Sequence, residues 1–232
     1  ARQVQFRLFP QKQPPLQTLD YAGGCVQAHH VGGDYYDFVD LGAGLVGLVV
    51  ADISGKGIAG ALLMANLQAN LRGQYATAGD LSRLLTSVNK LFYENTNENQ
   101  YATLFFAEYS DETRQLHYAN CGHFPPLLIR MDGTVEPLHS TAMVLGLFER
   151  WDVQTSEREL KSGDVLVIYT DGIIEAMNHA EDEFGTERLL ATVKANHHLP
   201  AAALVGAVHT AVQDFSAGAP SDDLTVVVAK VR

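Results

Sequence analysis

The order in which two hydrophobic periodicities follow one another limits the fold of this chain more than any other feature. Segments with strand-like patterns come in two blocks, and each block is followed by two segments with helical spacing. The first block has strand-like segments at 19–30, 35–41 and 45–53, then helical patterns at 58–75 and 81–95. The second has strand-like segments at 101–109, 115–120, 127–130, 135–138, 153–160 and 165–170, helical patterns at 186–196 and 200–215, and a last strand at 224–231.

Strands grouped ahead of helix pairs indicate an α+β fold rather than alternating βαβ units. Two antiparallel sheets packed face to face, with one helix pair on each outer face, would use every predicted element. We expect one domain, because the last strand has no partner within its own helical block. The run 45–51 is apolar on both faces, which is typical of a central strand that is covered on both sides.

The charge balance argues against two classes of function. The chain has 16 Lys and Arg against 27 Asp and Glu, a formal net charge of −11 with His neutral. Binding to nucleic acids or docking on anionic membranes requires basic patches. No apolar run reaches the roughly 18 residues of a membrane span, and the polar N-terminus does not resemble a signal peptide. We therefore expect no nucleic acid, no membrane insertion and a cytoplasmic location, with Cys25 and Cys121 as reduced thiols.

Aspartates at the ends of four apolar strands are the residues best placed for chemistry: Asp34, Asp52, Asp171 and Asp222. A carboxylate at the rim of a core is costly unless it is paired or bound to a metal. Any one of them alone has a simpler interpretation as a helix cap or a turn residue. Carboxylates without matching Lys or His indicate hard divalent cations, Mg²⁺ or Mn²⁺, rather than zinc. Two such ions close together can generate hydroxide and stabilise displacement at phosphorus.

Eight short motifs, in order over nearly the whole chain, carry a family resemblance. They are Val31-Gly-Gly-Asp-Tyr-Tyr-Asp-Phe38, Ala51-Asp-Ile-Ser-Gly-Lys-Gly57, Asn120-Cys-Gly-His-Phe-Pro-Pro126, Leu145-Gly-Leu147, Gly163-Asp-Val-Leu166, Tyr169-Thr-Asp-Gly-Ile-Ile-Glu-Ala176, Phe184-Gly185 and Asp222-Asp-Leu-Thr225. In these motifs the chain resembles the metal-dependent protein phosphatases, in particular the bacterial SpoIIE/RsbU branch. The resemblance implies a four-layer αββα sandwich, a binuclear Mn²⁺/Mg²⁺ site and hydrolysis of phosphoserine or phosphothreonine. In this branch the usual substrate is a small phosphorylated STAS-type anti-anti-sigma protein.

The resemblance also implies roles for individual residues. Asp52 corresponds to the carboxylate that bridges both metals, and the backbone carbonyl of Ile53 to a ligand of the second metal. Asp171 and Asp222 correspond to the other ligands of the first metal. Asp34 corresponds to an acidic residue that binds metal directly or through water.

Three further aspartates need separate interpretations. Asp223 is the rival to Asp222 as a ligand; the register of the Asp-Asp-Leu-Thr motif favours Asp222 but leaves the choice open. Asp37 and Asp40 flank an aromatic strand, and the simplest interpretation is that they form its solvated face.

The chain departs from the eukaryotic relatives at two positions. Ser54 stands where they carry a histidine proposed as the leaving-group acid. His29 and His30 stand where they carry an arginine that binds phosphate, and we interpret both as strand-end surface residues. His123 is interpreted as a turn residue rather than a catalytic one. Lys56 precedes a predicted helix, where it either contacts substrate phosphate or is simply solvated.

Two competing functions remain to be distinguished. A haloacid-dehalogenase phosphatase would need an aspartate nucleophile where the chain has Tyr169. A catalytically degenerate phosphatase fold, acting as a binding or scaffold module, would typically lack one or more of the metal aspartates, and all four are present. Mn²⁺-dependent hydrolysis of p-nitrophenyl phosphate would distinguish an enzyme from a scaffold.

We assign residues 1–15 as an N-terminal linker helix segment and 16–232 as the phosphatase domain. Val4, Leu8 and Phe9 fall on roughly one helical face. Relatives in this branch usually carry a sensor or receiver domain upstream. We therefore expect an upstream sensor or receiver domain, or an activator protein, to act on the region 55–61 through this segment, and a homodimer is one arrangement that would do so. The alternative is a surface helix packed on its own domain.

Overall fold

The structure is a computed structural model that describes residues 1–216, 218 and 220–232. Its strands are β1 (Leu19–Val26), β2 (Tyr35–Gly42), β3 (Leu45–Ile53), β4 (Ala102–Ser110), β5 (Gln115–Cys121), β6 (Leu127–Ile129), β7 (Val135–Pro137), β8 (Ser156–Glu159), β9 (Val165–Tyr169) and β10 (Leu224–Val231). Its helices are α1 (Arg2–Phe6), α2 (Gly57–Ala78), α3 (Leu81–Glu94), α4 (Asp171–Ile174), α5 (Gly185–Ala195) and α6 (Ala201–Phe215).

The strands form two antiparallel five-stranded sheets. Sheet A has the order β1-β10-β9-β6-β7, and sheet B has the order β2-β3-β4-β5-β8. The last strand lies between β1 and β9, where Val227 pairs with Gly23 on one side and Ile168 on the other. The C-terminal strand therefore completes a sheet that contains the first strand of the chain.

Three apolar clusters separate four layers. Leu48 and Val50 of β3 pack with Val227 of β10 in the cluster between the sheets. The intervening Val49 and Ala51 belong to a second cluster, which joins sheet B to α2 and α3. A third cluster joins sheet A to α5 and α6. The predicted αββα sandwich is therefore confirmed, and β3 is apolar on both faces because both faces are covered.

Asp37 does not lie on a solvated face, and that prediction is wrong. Its side chain is 0% exposed. Arg72 of α2 donates two hydrogen bonds to its carboxylate, both of 2.7 Å, and the hydroxyl of Tyr35 donates a third of 2.5 Å. The aspartate is buried because α2 folds over β2 and brings a matching cation. Asp40 is exposed, as predicted.

The N-terminal helix is shorter than its apolar pattern indicates. It ends at Phe6, so Leu8 and Phe9 follow it rather than share its face. Val4 is 67% exposed, whereas Phe9 is 7% exposed and joins the cluster beneath α2. The expectation that Val4 and Phe9 share one face is therefore wrong. No helix within the described ranges combines the length and apolar character needed to cross a bilayer.

Candidate metal centre

The four strand-end aspartates come from both sheets and meet at one edge of the sandwich. Asp34 directly precedes β2 and Asp52 is the penultimate residue of β3, both in sheet B. Asp171 begins α4 just after β9, and Asp222 lies two residues before β10. The strands β9 and β10 both belong to sheet A. The helix α4 was not predicted, since a single turn is too short to show a periodicity.

Electrostatics shows that these carboxylates converge. Burial, followed by the nearby charges of Asp171, Asp222 and Asp223, raises the pKa of Asp52 to about 7. Burial and the charge of Asp222 also raise the pKa of Asp171. A carboxyl pKa rises in this way when negative charges gather without enough positive charge to balance them.

Asp34 is the most deeply buried member of the set, with 3% of its surface exposed. Burial and the charge of Asp52 raise its pKa well above the ordinary value. The hydroxyl of Thr170 donates a hydrogen bond of 2.8 Å to its carboxylate and fixes its orientation across the two sheets. The sequence did not predict this role of Thr170. Its position beside Asp171 is the only local signal for it.

Asp222 and Asp223 have different surroundings. Asp223 is 4% exposed, and its carboxylate accepts a 2.9 Å hydrogen bond from the backbone N–H of Ala28 and a 3.5 Å contact from that of Asp34. Asp222 is partly exposed, and its carboxylate lies 2.9 Å from the ammonium of Lys56. Both carboxylate oxygens of Asp223 thus face backbone donors. Asp222 accepts one backbone hydrogen bond, of 2.9 Å from the N–H of Asp223, and its other oxygen faces Lys56.

Lys56 was expected either to contact substrate phosphate or to be solvated, and in the structure it forms an ion pair. Its ammonium pairs with Asp222 and donates a 3.1 Å hydrogen bond to the carbonyl of Ser221. The side chain is still 59% exposed, so the ion pair is weakly held. Lys56 is a positive charge at the mouth of the cluster.

The three histidines near the site motifs have different surroundings. His29 and His30 are exposed in the bend after β1. His123 is 2% exposed, and burial lowers its pKa to about 4, so its ring is neutral at pH 7. Its Nδ1 shares a hydrogen bond of 2.9 Å with the hydroxyl of Thr103, which pairs with Asp52 across β3 and β4. His123 therefore supports the strand beside Asp52 and does not face solvent.

The donor chemistry of the cluster fits hard divalent cations. Its members offer only oxygen atoms, and the raised carboxyl pKa values mark an excess of negative charge that a cation would relieve. Within the residues that the structure describes, no group of three or more His, Cys, Asp or Glu side chains has the geometry of a finished metal site.

The raised pKa of Asp52 predicts an unusual pH dependence of stability. A carboxyl group with a higher pKa in the folded state binds more protons when folded, between its unfolded and folded pKa values. For Asp52 this window runs from the ordinary value of about 4 to about 7. Its contribution to the stability of the metal-free protein therefore falls as the pH rises through the window.

We expect the Tm of Asp52→Asn, measured in EDTA, to increase relative to that of wild type as the pH rises from about 4 to about 7, because Asn has no proton to lose. Asp40→Asn is the matched control, since Asp40 is exposed and lies outside the cluster. Parallel Tm curves for wild type and Asp52→Asn would contradict the prediction.

Comparison with known proteins identifies the family. Residues 42–232 match the family model described as Stage II sporulation protein E (SpoIIE). The chain is 31% identical over 176 residues to the phosphoserine phosphatase RsbU of Bacillus subtilis, an alignment that covers 75% of this chain and 52% of RsbU. The chain thus spans about half the length of RsbU, and alignments with two further curated relatives cover 35% and 34% of their lengths.

Solved structures share the fold at low sequence identity. The PP2C phosphatase domain of SpoIIE from Bacillus subtilis, solved with a fragment of its regulatory domain, superposes with a TM-score of 0.80 at 20% identity, covering 93% of this chain and 64% of that one. The catalytic domain of the serine/threonine protein phosphatase PstP, in complex with two manganese ions, superposes with a TM-score of 0.69 at 19% identity, covering 92% and 98%. The fold of the chain is thus that of PP2C phosphatase domains. The family model matches most of the sequence, so the chain belongs to the SpoIIE family.

Proposed function

We propose that this chain is a phosphoserine phosphatase domain that depends on two divalent cations, Mn²⁺ or Mg²⁺, and acts on a small phosphorylated STAS-type protein. The observation that carries the proposal is the convergence of four strand-end carboxylates from two sheets. Two relatives, RsbU and RsbP of Bacillus subtilis, are named phosphoserine phosphatases, which supports the same reaction here.

Five groups would hold the cations: the carboxylates of Asp34, Asp52, Asp171 and Asp222 and the backbone carbonyl of Ile53. We choose Asp222 over Asp223 because both oxygens of the buried Asp223 carboxylate face backbone N–H groups, whereas one oxygen of the partly exposed Asp222 faces the exposed ammonium of Lys56. Bound divalent cations supply an activated water and neutralise charge that develops at phosphorus. The chain itself contributes the orientation of Asp34, through Thr170, and a positive charge at the entrance, through Lys56.

A covalent mechanism through cysteine finds no support in the chain. Cys25 and Cys121 are free thiols, and burial raises the pKa of each above its ordinary value, which disfavours the nucleophilic thiolate. Neither begins a Cys-x₅-Arg phosphate loop, because the position of the arginine is occupied by Val31 after Cys25 and by Leu127 after Cys121. We therefore propose direct attack of water on the phosphoserine in a single step.

We further propose that residues 1–15 connect the phosphatase domain, 16–232, to an upstream sensor or receiver domain or to an activator protein. A homodimer joined through this segment is part of that proposal. The exposed apolar side chains of Val4 and Phe6 support it, since they leave apolar surface for a neighbour to cover.

The deciding experiment incubates the domain with a serine-phosphorylated STAS-type protein and Mn²⁺ and measures phosphate release. We expect release that stops in EDTA and returns with Mn²⁺. Parallel assays with p-nitrophenyl phosphate separate the two parts of the proposal. Turnover of that compound alone would contradict the STAS-type substrate, whereas no Mn²⁺-dependent turnover of either compound would identify a non-enzymatic binding module.

A further inference from the structure

The N-terminal helix buries an amide and exposes its apolar side chains, the reverse of the usual pattern. Gln5 is 4% exposed, while its neighbours Val4 and Phe6 are 67% and 68% exposed. A buried amide is costly unless its donors and acceptor are bonded. The bonds that Gln5 makes therefore indicate why the helix sits in this orientation.

The Gln5 amide pairs with both backbone groups of a single residue, Gly32. Its Nε2 donates to the Gly32 carbonyl at 2.7 Å, and its Oε1 accepts from the Gly32 N–H at 3.1 Å. The amide of Gln27 also donates to Oε1, at 2.8 Å. The side chain thus clamps the backbone two residues before Asp34.

The clamped loop is pressed directly against the candidate metal centre. A Cβ atom on Gly32 would lie 1.6 Å from a carboxylate oxygen of Asp223, and one on Gly33 would lie 2.7 Å from the Ile53 carbonyl oxygen. The next residue, Asp34, directs its backbone N–H toward Asp223 at 3.5 Å. Gly33 alone lies between the clamped Gly32 and Asp34 in the sequence, so the position of the loop is linked directly to that of Asp34.

We propose that Gln5 is a positioning residue, which holds the loop 32–34 and so sets the affinity of the centre for divalent cations. The metal part of this inference rests on the proposed function; the clamp on the loop does not. Partners that orient metal ligands indirectly typically change metal affinity by 10- to 100-fold when they are lost. Because Gln5 acts through backbone atoms, we expect an effect near the lower end of that range.

The test compares Gln5→Leu and Gln5→Glu with wild type in the full chain. Gln5→Leu removes all three hydrogen bonds, and Gln5→Glu keeps the size of the side chain while placing an oxygen against the Gly32 carbonyl. Gln11→Leu is the matched control, because among the described residues the Gln11 amide bonds to the nearby carbonyls of Phe6 and Phe9 and not to the loop 32–34. If Gln5→Leu fails to fold, Gln5→Glu still carries the test.

Two measurements keep this inference distinct from the proposed function. In the metal-free protein, amide hydrogen exchange over residues 32–34 should accelerate roughly three- to tenfold in both Gln5 variants, equivalent to about one lost hydrogen bond. By calorimetric titration, Mn²⁺ should bind roughly tenfold more weakly, and Gln11→Leu should match wild type in both experiments. Unchanged exchange would overturn the clamp. Wild-type Mn²⁺ affinity in both Gln5 variants would overturn its role in metal binding, whereas absence of Mn²⁺ binding in wild type would count against the proposed function.

Discussion

Replacing Asp52 with Asn is expected to lower kcat/KM by about a thousandfold or more while the fold stays intact. Asp52 interacts with the carboxylates of Asp34, Asp171 and Asp222, so its loss affects proposed ligands from both sheets. A loss of about 4 kcal/mol in transition-state stabilisation corresponds to that factor. Removing one charge from a crowded acidic cluster relieves repulsion, so the metal-free variant should unfold at or above the wild-type temperature near pH 7.

Phosphate release in Mn²⁺ and thermal unfolding in EDTA measure the two effects separately. Asp40→Asn is the control for the substitution itself, because it makes the same chemical change on an exposed part of β2. Full activity of Asp52→Asn would contradict the proposed site. Isolation of a phosphoenzyme during turnover would instead contradict the single-step mechanism.

The layers of the fold were predictable because local periodicity reports burial directly. The uninterrupted apolar run of β3 reflects clusters on both of its faces. Which strands share a sheet was not predictable in the same way. β8 and β9 follow one another along the chain, yet β8 pairs with β5 in sheet B and β9 with β10 in sheet A. Pairing of this kind depends on distant segments that a local pattern does not record.

In the candidate centre, too, some features could be predicted from local sequence and others depend on distant segments. Its aspartates could be found because a carboxylate at the end of an apolar strand is unusual by itself. The residues that orient these aspartates could not be found in the same way, because Thr170 contacts Asp34 across 136 positions of sequence. Asp37 was misjudged for the same reason: an aspartate in a strand looks solvated until its partner, Arg72, is known.

The buried pair between Asp37 and Arg72 leads to the largest expected change in stability. Arg72→Met should destabilise the protein by about 3 kcal/mol, because it leaves the fully buried Asp37 carboxylate without its cation. Removing one partner of a buried ion pair typically lowers stability by about 3 to 5 kcal/mol. The Arg72 side chain is 46% exposed, so water can enter its place, and we expect a loss at the lower end of this range. In a chain of this size that amounts to roughly 6–12 °C in Tm.

Thermal and urea unfolding of the metal-free protein would measure this loss, with two comparisons that isolate the ion pair. Arg83→Met breaks an exposed ion pair between Arg83 of α3 and Asp80, the residue that caps this helix. The two side chains are 80% and 52% exposed, so the loss should be less than about 1 kcal/mol. The double variant Asp37→Asn with Arg72→Met should be more stable than Arg72→Met alone, since the orphaned charge is gone while Asn still accepts the Tyr35 hydrogen bond. Equal losses of stability from Arg72→Met and Arg83→Met, or a double variant less stable than Arg72→Met alone, would show that Asp37 does not depend on Arg72 for its burial.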